Sequence, residues 1–200
     1  DIARAKYDAQ IEAARREKVR RDALTASTVV PPTFRGAALE LQSILGRHFE
    51  VIIKGPAETG KTYAACYFID CILRQYPHTQ AVMARKVRDT INSTVLQTYL
   101  KIVTDKPDVV SYGGKKPEWF DYSNGSKLWL MGLDDPGKAL SSERDIVYVN
   151  QCEELSLNDW EILTTRVTGR AGNLPDGLSL ILGDANPGPK NHWTTQRPSV

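Results

Sequence analysis

The sequence predicts an α/β domain in which helices cover a mostly parallel β-sheet, with a helical arm in front of it. Two observations carry this prediction. Short β-branched or apolar runs alternate with helical segments along residues 34–200, which is typical of parallel strands joined by helical crossovers. A glycine-rich loop also joins the first of these strands directly to a long apolar helix. With 200 residues, the chain is long enough for one such domain and its core.

The predicted elements follow one another in a regular order. The Asn124-Gly125 pair between two apolar runs is a strong hairpin signal, and no internal repeat is visible. The expected elements are a short helix at 37–45, a strand at 48–54, a helix at 63–73, a strand at 80–84, a helix at 87–103, a surface loop at 105–118, a hairpin at 119–122 and 127–131, a strand at 145–149, a helix around 157–163 and a strand at 177–183.

Residues 1–33 differ in composition from the rest and are expected to form a separate helical arm and linker. The arm is rich in Ala, Arg, Lys and Glu, and Glu12→Arg16 and Glu17→Arg21 are i,i+4 pairs in the favourable order. Its basic cluster either forms a solvated helical face or contacts phosphate backbones or a partner. Residues 34–200 are expected to form the nucleotide-binding domain described next.

Composition excludes several other classes of protein. The formal net charge of +2 is too small to indicate a nucleic-acid binder by itself. No apolar run approaches the roughly 20 residues of a membrane span, and no signal-peptide pattern is present. Cys66, Cys71 and Cys152 show no metal-ligand spacing, which favours reduced thiols in an intracellular protein. Because the chain begins at Asp1 and ends abruptly at Val200, it is expected to belong to a longer protein.

The glycine-rich loop carries the strongest functional signal in the chain. Its residues, Gly55-Pro56-Ala57-Glu58-Thr59-Gly60-Lys61-Thr62, match the phosphate-binding pattern G-x-x-x-x-G-K-[ST] at every fixed position. In such a P-loop, backbone N–H groups of the loop and of the following helix point at the phosphates. Lys61 reaches the β- and γ-phosphates, and the Thr62 hydroxyl ligates Mg²⁺. The sequence therefore predicts that a nucleotide binds here with Mg²⁺.

The second half of a hydrolytic site is expected after the strand that ends at Val149. Hydrolytic P-loop proteins usually place an acidic residue there for Mg²⁺, often beside a Glu that orients the attacking water. Here the pair is Asn150-Gln151. Asn150 can still accept a hydrogen bond from a magnesium-bound water. Either Gln151 orients the attacking water, or Glu153 or Glu154 replaces it, or the site is slow; the sequence leaves these alternatives open.

Two further segments are candidates for the same site. The loop before that strand carries Lys138 and Arg144, either of which could stabilise transition-state charge on its own nucleotide or on a neighbour's; the alternative is an ordinary charged surface loop. Asn186, at the end of the last strand, is a candidate to sense loss of the γ-phosphate and relay it. Otherwise Asn186-Pro187 is simply a turn.

Together these segments resemble a known family. They occur in one order over residues 34–197: Phe34-Arg35-Gly36-Ala37-Ala38, the P-loop, Arg85-Lys86, Gly132-Leu133-Asp134-Asp135-Pro136, Ser141-Ser142-Glu143, residues 148–155, and residues 183–189 with His192-Trp193. This set is similar to the large terminase subunit of tailed bacteriophages. In that family an N-terminal ATPase motor drives double-stranded DNA into the procapsid, and a C-terminal nuclease cuts it. The resemblance implies a RecA/ASCE-like P-loop NTPase fold, the cofactors ATP and Mg²⁺, and no nuclease activity in this chain.

The resemblance also implies roles for individual residues. By this likeness, Asn150 lies at the metal-side position and Gln151 at the position of the catalytic glutamate. Relatives commonly have Gly where Glu58 stands, and some carry an Arg within the loop. The remaining implied roles are ATP binding by Gly55 to Thr62, an adenine neighbourhood at Phe34 and Arg35, a coupling motif containing Asp184 and Asn186, and a trans-acting finger at Lys138 or Arg144.

The expected function is therefore that of an ATP-hydrolysing DNA translocase. The resemblance implies a homo-oligomeric ring on the portal protein, with the small terminase subunit and the backbone of double-stranded DNA as partners, in the host cell cytoplasm and away from membranes. Lys115-Lys116 and the N-terminal arm are candidate DNA contacts. The alternatives are a nucleotide-gated assembly module with little hydrolysis, another P-loop translocase or helicase, and a small-molecule kinase, for which no Arg-rich lid is evident.

Overall fold

The computed structural model describes residues 32–134, 143–172, 174–175 and 178–196. Within these ranges, the strands are β1 (Glu50–Lys54), β2 (Gln80–Arg85), β3 (Val109–Tyr112), β4 (Trp119–Tyr122), β5 (Lys127–Gly132), β6 (Ile146–Val149) and β7 (Leu180–Ala185). The helices are α1 (Ala37–Ile44), α2 (Lys61–Gln75), α3 (Arg88–Ser93), α4 (Val95–Val103), α5 (Leu157–Thr164) and α6 (Trp193–Gln196), with a short 3-10 helix at Cys152–Glu154. None of the helices in the described part is long and apolar enough to cross a membrane.

All seven strands of the described residues form one sheet in the order β1-β7-β6-β2-β5-β4-β3. The first five strands in this order are mutually parallel, whereas β5, β4 and β3 pair antiparallel as a meander at one edge. Every residue of β6 and of β7 is buried, as expected for parallel strands that are covered on both faces. The prediction of an α/β fold with a mostly parallel, helix-covered sheet is confirmed.

The sheet divides the hydrophobic core into two layers. Alternate residues of β6 belong to different layers: Ile146 and Tyr148 pack with residues of α2 and α4, whereas Val147 and Val149 pack with residues of α5. This alternation follows from the period of two along a strand, which sends successive side chains to opposite faces. Helices α2 and α4 therefore cover one face, and α5 covers the other.

A buried charged cluster fixes α2 against the antiparallel edge. Asp70 of α2 is 1% exposed and accepts hydrogen bonds from Arg74 Nε at 2.9 Å, Lys106 Nζ at 2.6 Å and Tyr122 Oη at 2.9 Å. Two cations and a phenol thus compensate one buried carboxylate, as a buried charge requires. The cluster holds the C-terminal half of α2 in place, and so supports the orientation of the helix that begins at the P-loop.

The structure corrects two of the predicted elements. The single helix expected at 87–103 is broken into α3 and α4 at Thr94, whose backbone is non-helical (φ −124°, ψ −104°) and whose side chain bonds Arg85. The surface loop expected at 105–118 contains strand β3, which is mostly exposed and therefore lacks the apolar alternation that reveals a strand. The predicted N-terminal arm lies outside the described residues, apart from its last positions.

The three cysteines are free thiols, as predicted. Cys66 and Cys152 are fully buried and Cys71 is partly buried. Burial raises the pKa of all three, and nearby carboxylates raise it further. These thiols therefore remain protonated and pack as small apolar side chains.

Candidate nucleotide site

The parallel strands bring the predicted site residues to one edge of the sheet. The P-loop follows β1, Asp184 lies near the end of β7, Asn150 follows β6, and Arg85 ends β2. In open α/β sheets, ligands bind outside these carboxyl ends. A cavity of about 830 Å³ opens here. Its lining comprises residues 57–63 of the loop and helix, Thr94, Val95, Thr98 and Lys101 of the α3–α4 region, Asn150 and Gln151, and residues 184–186.

The P-loop holds its lysine over the position that a phosphate needs. Lys61 is the first residue of α2 and is 6% exposed. Its Nζ donates to the carbonyl oxygens of Gly55 and Pro56 at 2.7 and 2.6 Å and lies 3.4 Å from Thr59 Oγ1. Because these acceptors are neutral carbonyls and a hydroxyl, phosphate oxygens can replace them with stronger charge-assisted bonds. The N-terminus of α2 adds free N–H groups aimed at the same anion.

Glu58 occupies a position whose backbone favours glycine. Its φ of 62° is left-handed, a conformation that costs a non-glycine residue about 1–2 kcal/mol. The side chain is exposed and lines the cavity, so it places a negative charge where phosphates would bind. A glutamate at this position therefore carries both a conformational and an electrostatic cost.

Glu58→Gly is expected to raise both stability and nucleotide affinity. Relief of about 1–2 kcal/mol of strain, reduced by about 0.4–1 kcal/mol for the more flexible unfolded chain, leaves a net gain of about 0.5–1 kcal/mol. Urea unfolding and ATP-γ-S titration measure the two effects. Glu58→Ala is the matched control, because it removes the charge and keeps the strain: it should bind more tightly without becoming more stable. Equal stability of the two variants would contradict the strain argument.

Asp184 is the polar centre of the site. It is 2% exposed, and β7 places it between the P-loop strand and β6. Its carboxylate accepts hydrogen bonds from Thr62 Oγ1 at 2.5 Å, Tyr148 Oη at 3.0 Å and the backbone N–H of Gln151 at 2.7 Å. Asn150 Nδ2 donates to both carboxylate oxygens, at 3.0 and 3.1 Å. Burial raises the pKa of Tyr148, and the negative charge of Asp184 raises it further.

Gln151 lines the cavity beside Asn150, directly after β6. Its backbone is left-handed (φ 53°, ψ 55°), an unfavourable conformation of the kind that clusters at functional sites. Its Oε1 accepts a hydrogen bond from Arg85 Nη2, which also donates to Glu154 Oε1 at 3.1 Å. Arg85 is 8% exposed, so this guanidinium holds Gln151 and Glu154 together beside the cavity.

Glu153 connects the turn after β6 to the end of β7. Its Oε1 accepts hydrogen bonds from the backbone N–H of Asn186 at 3.1 Å and from Asn186 Nδ2 at 3.0 Å. Neither Glu153 nor Glu154 lines the cavity, whereas Gln151 does. The structure therefore brings Gln151 and Asn186 to the cavity and places the two glutamates behind them.

The donor atoms at this edge fit Mg²⁺ that is shared with a nucleotide. The Thr62 hydroxyl and the Asp184 carboxylate lie side by side, and oxygen is the ligand that Mg²⁺ prefers. In the described part of the chain, no group of three or more His, Cys, Asp or Glu residues could hold a metal by itself. A site of few protein ligands suits Mg²⁺ in nucleotide enzymes, since substrate phosphates and waters supply the rest.

An aromatic cluster connects Phe34 to the wall of the cavity. Its ring is 6.5 Å from that of Tyr63, 5.5 Å from Tyr67 and 4.9 Å from Phe68, centroid to centroid. Of these rings, Tyr63 lines the cavity. Arg35 is exposed and, like Phe34, is not itself part of the lining.

The structure does not bring Arg144 to this cavity. Arg144 lies just before β6, which places it at the opposite, amino edge of the sheet. Its guanidinium carbon is 5.4 Å from the ring centre of Trp129, and burial lowers the pKa of Arg144. Lys138, the other predicted finger, lies outside the described residues.

Part of the cavity wall was not predicted from the sequence. Thr94, Thr98 and Lys101 face the P-loop across the cavity, and sequence reasoning gave them no role. A signal was present, because their i, i+4, i+7 spacing places them on one face of an amphipathic helix. In the sequence, Arg85 has no assigned role beyond its place in the Arg85-Lys86 segment of the family resemblance. Its role depends on contacts across 66 and 69 positions of the chain, which spacing does not reveal.

Solved structures of phage terminases share this fold. The large terminase of a thermophilic bacteriophage superposes with a TM-score of 0.68 at 13% identity, covering 84% of this chain and 42% of that one. The complex of the same terminase with ATP-γ-S gives 0.65 at 12% identity, with 83% and 41% coverage. The large terminase ATPase domain of Thermus phage P74-26 gives 0.55 at 15% identity, with 78% and 66% coverage. The chain thus spans less than half the length of the first of these proteins.

The sequence comparisons assign the family. Among curated proteins no match was found. The family model described as phage terminase large subunit matches residues 47–198, a range that contains the P-loop, Asn150-Gln151 and the segment from Asp184 to Asn186. This match confirms the resemblance drawn from the motifs. The chain belongs to the phage terminase large subunit family.

Proposed function

We propose that this chain is the ATPase motor domain of a large terminase, coupling ATP hydrolysis to translocation of double-stranded DNA into the procapsid. The observation that carries the proposal is that the P-loop, Gln151 and Asn186 line the same cavity. Nucleotide contacts, a water-orienting group and a relay residue thus share one space. The thermophilic phage terminase, which has this fold, is known in complex with ATP-γ-S, and that supports ATP as the ligand here.

Binding of ATP depends on the P-loop and the start of α2. The N–H groups of the loop and helix receive the phosphates, and Lys61 exchanges its carbonyl acceptors for phosphate oxygens. Mg²⁺, when bound with the nucleotide, would supply charge compensation for the phosphates. Thr62 would hold it, together with Asn150 or Asp184 from the neighbouring strands. Phe34 and Arg35 lie on the side of Tyr63, where the base would extend from the phosphates.

Gln151 is the proposed water-orienting residue. It lines the cavity, whereas Glu153 and Glu154 are turned to Asn186 and Arg85. An amide cannot take a proton, but phosphoryl transfer requires little proton abstraction, and a glutamine that positions water suffices in GTPases. Arg85 holds the Gln151 amide oxygen, so the N–H₂ end and the orientation of the side chain are fixed before ATP arrives.

Coupling to movement would run through two links between β6 and β7. The Gln151 backbone donates to Asp184, and Asn186 donates to Glu153. Loss of the γ-phosphate beside Asn186 would therefore shift the turn that carries Gln151 and Glu153. Such a polar group at a strand end is suited to relay hydrolysis to a distant surface.

The partners follow from the proposed motor role. Double-stranded DNA would be held through its phosphates, since packaging cannot depend on sequence, and binding would weaken steeply with salt. Lys115 is exposed, and Lys116 forms a solvent-exposed ion pair with Asp89, so both lie where they can contact phosphates. The chain would form a homo-oligomeric ring on the portal protein and would work with the small terminase subunit. This assembly would operate in the host cytoplasm. In such a ring, Arg144 or Lys138 would reach a neighbour's site.

Steady-state ATP hydrolysis, measured with and without double-stranded DNA, tests the proposal. Gln151→Asn shortens the side chain and tolerates the left-handed backbone, so kcat is expected to fall about 100-fold, the typical cost of losing one preorganised hydrogen-bonding group at a reaction centre. Glu154→Gln is the matched control. It keeps a hydrogen-bond acceptor for Arg85 outside the cavity and should leave kcat near the wild-type value.

Two results would contradict this assignment. If Glu154→Gln abolishes hydrolysis while Gln151→Asn does not, Glu154 rather than Gln151 orients the water. If the wild type binds ATP-γ-S but shows no turnover with DNA and the packaging partners, the motor proposal fails. The nucleotide-gated assembly module is then favoured, an alternative to which the neutral Asn150-Gln151 pair gives some support.

A further inference from the structure

Strand β6 is followed by two uncharged residues in this protein, at the place where a P-loop ATPase usually has an acidic pair. Asn150 and Gln151 follow β6, and the nearby acidic residues Glu153 and Glu154 do not line the cavity. Among the described residues of the cavity wall, Glu58 and Asp184 carry carboxylates. Glu58 is exposed on the loop, whereas Asp184 is almost completely buried beside Thr62.

The described surroundings of Asp184 supply hydrogen bonds but no counter-charge. Its hydrogen-bond donors are a hydroxyl, a phenol, an amide side chain and a backbone N–H. Among the described residues, no lysine, arginine or histidine forms an ion pair with it. A buried carboxylate without a cation is costly, as the two-cation environment of Asp70 illustrates. The geometry therefore calls for a bound cation next to Asp184.

The orientation of Asn150 excludes it as the oxygen ligand in this arrangement. Its Nδ2 donates to both Asp184 oxygens and lies 3.5 Å from Thr62 Oγ1. An ionised carboxylate only accepts hydrogen bonds, so the face of Asn150 toward Asp184 must be its N–H₂ group. The amide oxygen consequently points away from the contact between Thr62 and Asp184.

We infer that Asp184, supplied by β7, is the carboxylate that holds Mg²⁺ beside Thr62, and that Asn150 of the neighbouring strand is a positioning residue for it. The inference rests on the proposed ATP site. The acidic function is thus moved by one strand in the sheet, from the end of β6 to β7. Because β7 lies between β1 and β6, this displacement keeps the carboxylate next to the P-loop threonine.

The magnesium dependence of ATP-γ-S binding tests the inference without relying on turnover. Affinity is measured for each variant with excess Mg²⁺ and again with EDTA, and the ratio of the two Kd values gives the magnesium enhancement. Asp184→Asn is expected to lower this enhancement at least about tenfold. Loss of a residue that only hydrogen-bonds to a metal ligand already lowers metal affinity by about 10- to 100-fold, and loss of the ligand itself should have at least that effect. In EDTA its affinity should be unchanged or tighter, since a negative charge has been removed.

Two further variants make the result independent of the folding of Asp184→Asn. Asn150→Ala should lower the enhancement less than Asp184→Asn does, because it removes two hydrogen bonds to the carboxylate but leaves the carboxylate itself in place. The exchange variant Asp184→Asn/Asn150→Asp, which returns the carboxylate to β6, should recover the enhancement. If Asn150→Ala lowers the enhancement more than Asp184→Asn does, or if a folded Asp184→Asn keeps it, the inference is overturned while the ATP site stands. If the wild type binds no ATP-γ-S under either condition, the proposed function itself fails.

Discussion

Replacing Lys61 with alanine is expected to weaken ATP-γ-S binding about 100-fold, which corresponds to the loss of charge-assisted hydrogen bonds worth about 3 kcal/mol. Lys61 is buried at the start of α2, and its ammonium is already held over the loop by the Gly55 and Pro56 carbonyls. Phosphate oxygens therefore meet a positioned charge with little loss of side-chain entropy. Isothermal titration calorimetry in the presence of Mg²⁺ measures the effect.

Arg47→Ala is the matched control for this experiment. It also removes one positive charge, but Arg47 is exposed and lies before β1, at the opposite edge of the sheet from the P-loop. Its affinity should equal that of the wild type, and both variants should give native circular dichroism. If Arg47→Ala and Lys61→Ala lose affinity equally, the loss reflects the net charge of the protein. The assignment of Lys61 to the phosphates would then be wrong.

The largest effect on stability is expected at Trp160. Trp160→Ala should cost about 3–5 kcal/mol of unfolding free energy and lower Tm by about 10 °C. The indole is fully buried in the core layer under α5. It packs 5.5 Å from the Trp193 ring, and its Nε1 donates to Glu50 Oε1 at 2.9 Å. Thermal and urea unfolding provide the measurement.

The position of Trp160 also links stability to the site. It packs so close to β7 that a Cβ added at Gly183 would lie 3.0 Å from the indole and 2.7 Å from Cys152 Sγ. Gly183 directly precedes Asp184 in β7. Trp160→Ala should therefore also bind ATP-γ-S more weakly than the wild type at temperatures where the variant remains folded. Unchanged affinity in the folded variant would show that the indole supports the core alone.

Trp119→Ala removes the same side chain from the exposed antiparallel edge and serves as the control. Trp119 is only partly buried and stacks on the exposed Tyr112 at 5.2 Å. Its loss should cost about 1 kcal/mol, the worth of an aromatic pair. A cost equal to that of Trp160→Ala would mean that the β3–β4–β5 edge is as essential to the fold as the core layer.

Elements with local signals were predicted well from the sequence. The strand, loop and helix around the P-loop, the hairpin at Asn124-Gly125 and the buried strand β6 all lie where expected, because periodicity and turn chemistry act over a few residues. The break at Thr94 was not predicted, since it depends on Arg85 reaching from β2. Strand β3 was missed for a similar reason: its residues are exposed, and pairing with β4 stabilises it.

Within the site, the sequence by itself determined the position of the P-loop, predicted the roles of Lys61 and Thr62, and marked Asn150-Gln151 as a neutral departure. Only the tertiary structure decided which side chains meet these residues. Strand order is a property of the assembled sheet, so the contact between Thr62 and Asp184 joins positions that lie 122 residues apart. For that reason the carboxylate beside the P-loop, assigned from sequence to a coupling motif, emerged as the centre of the site only when β7 was found between β1 and β6.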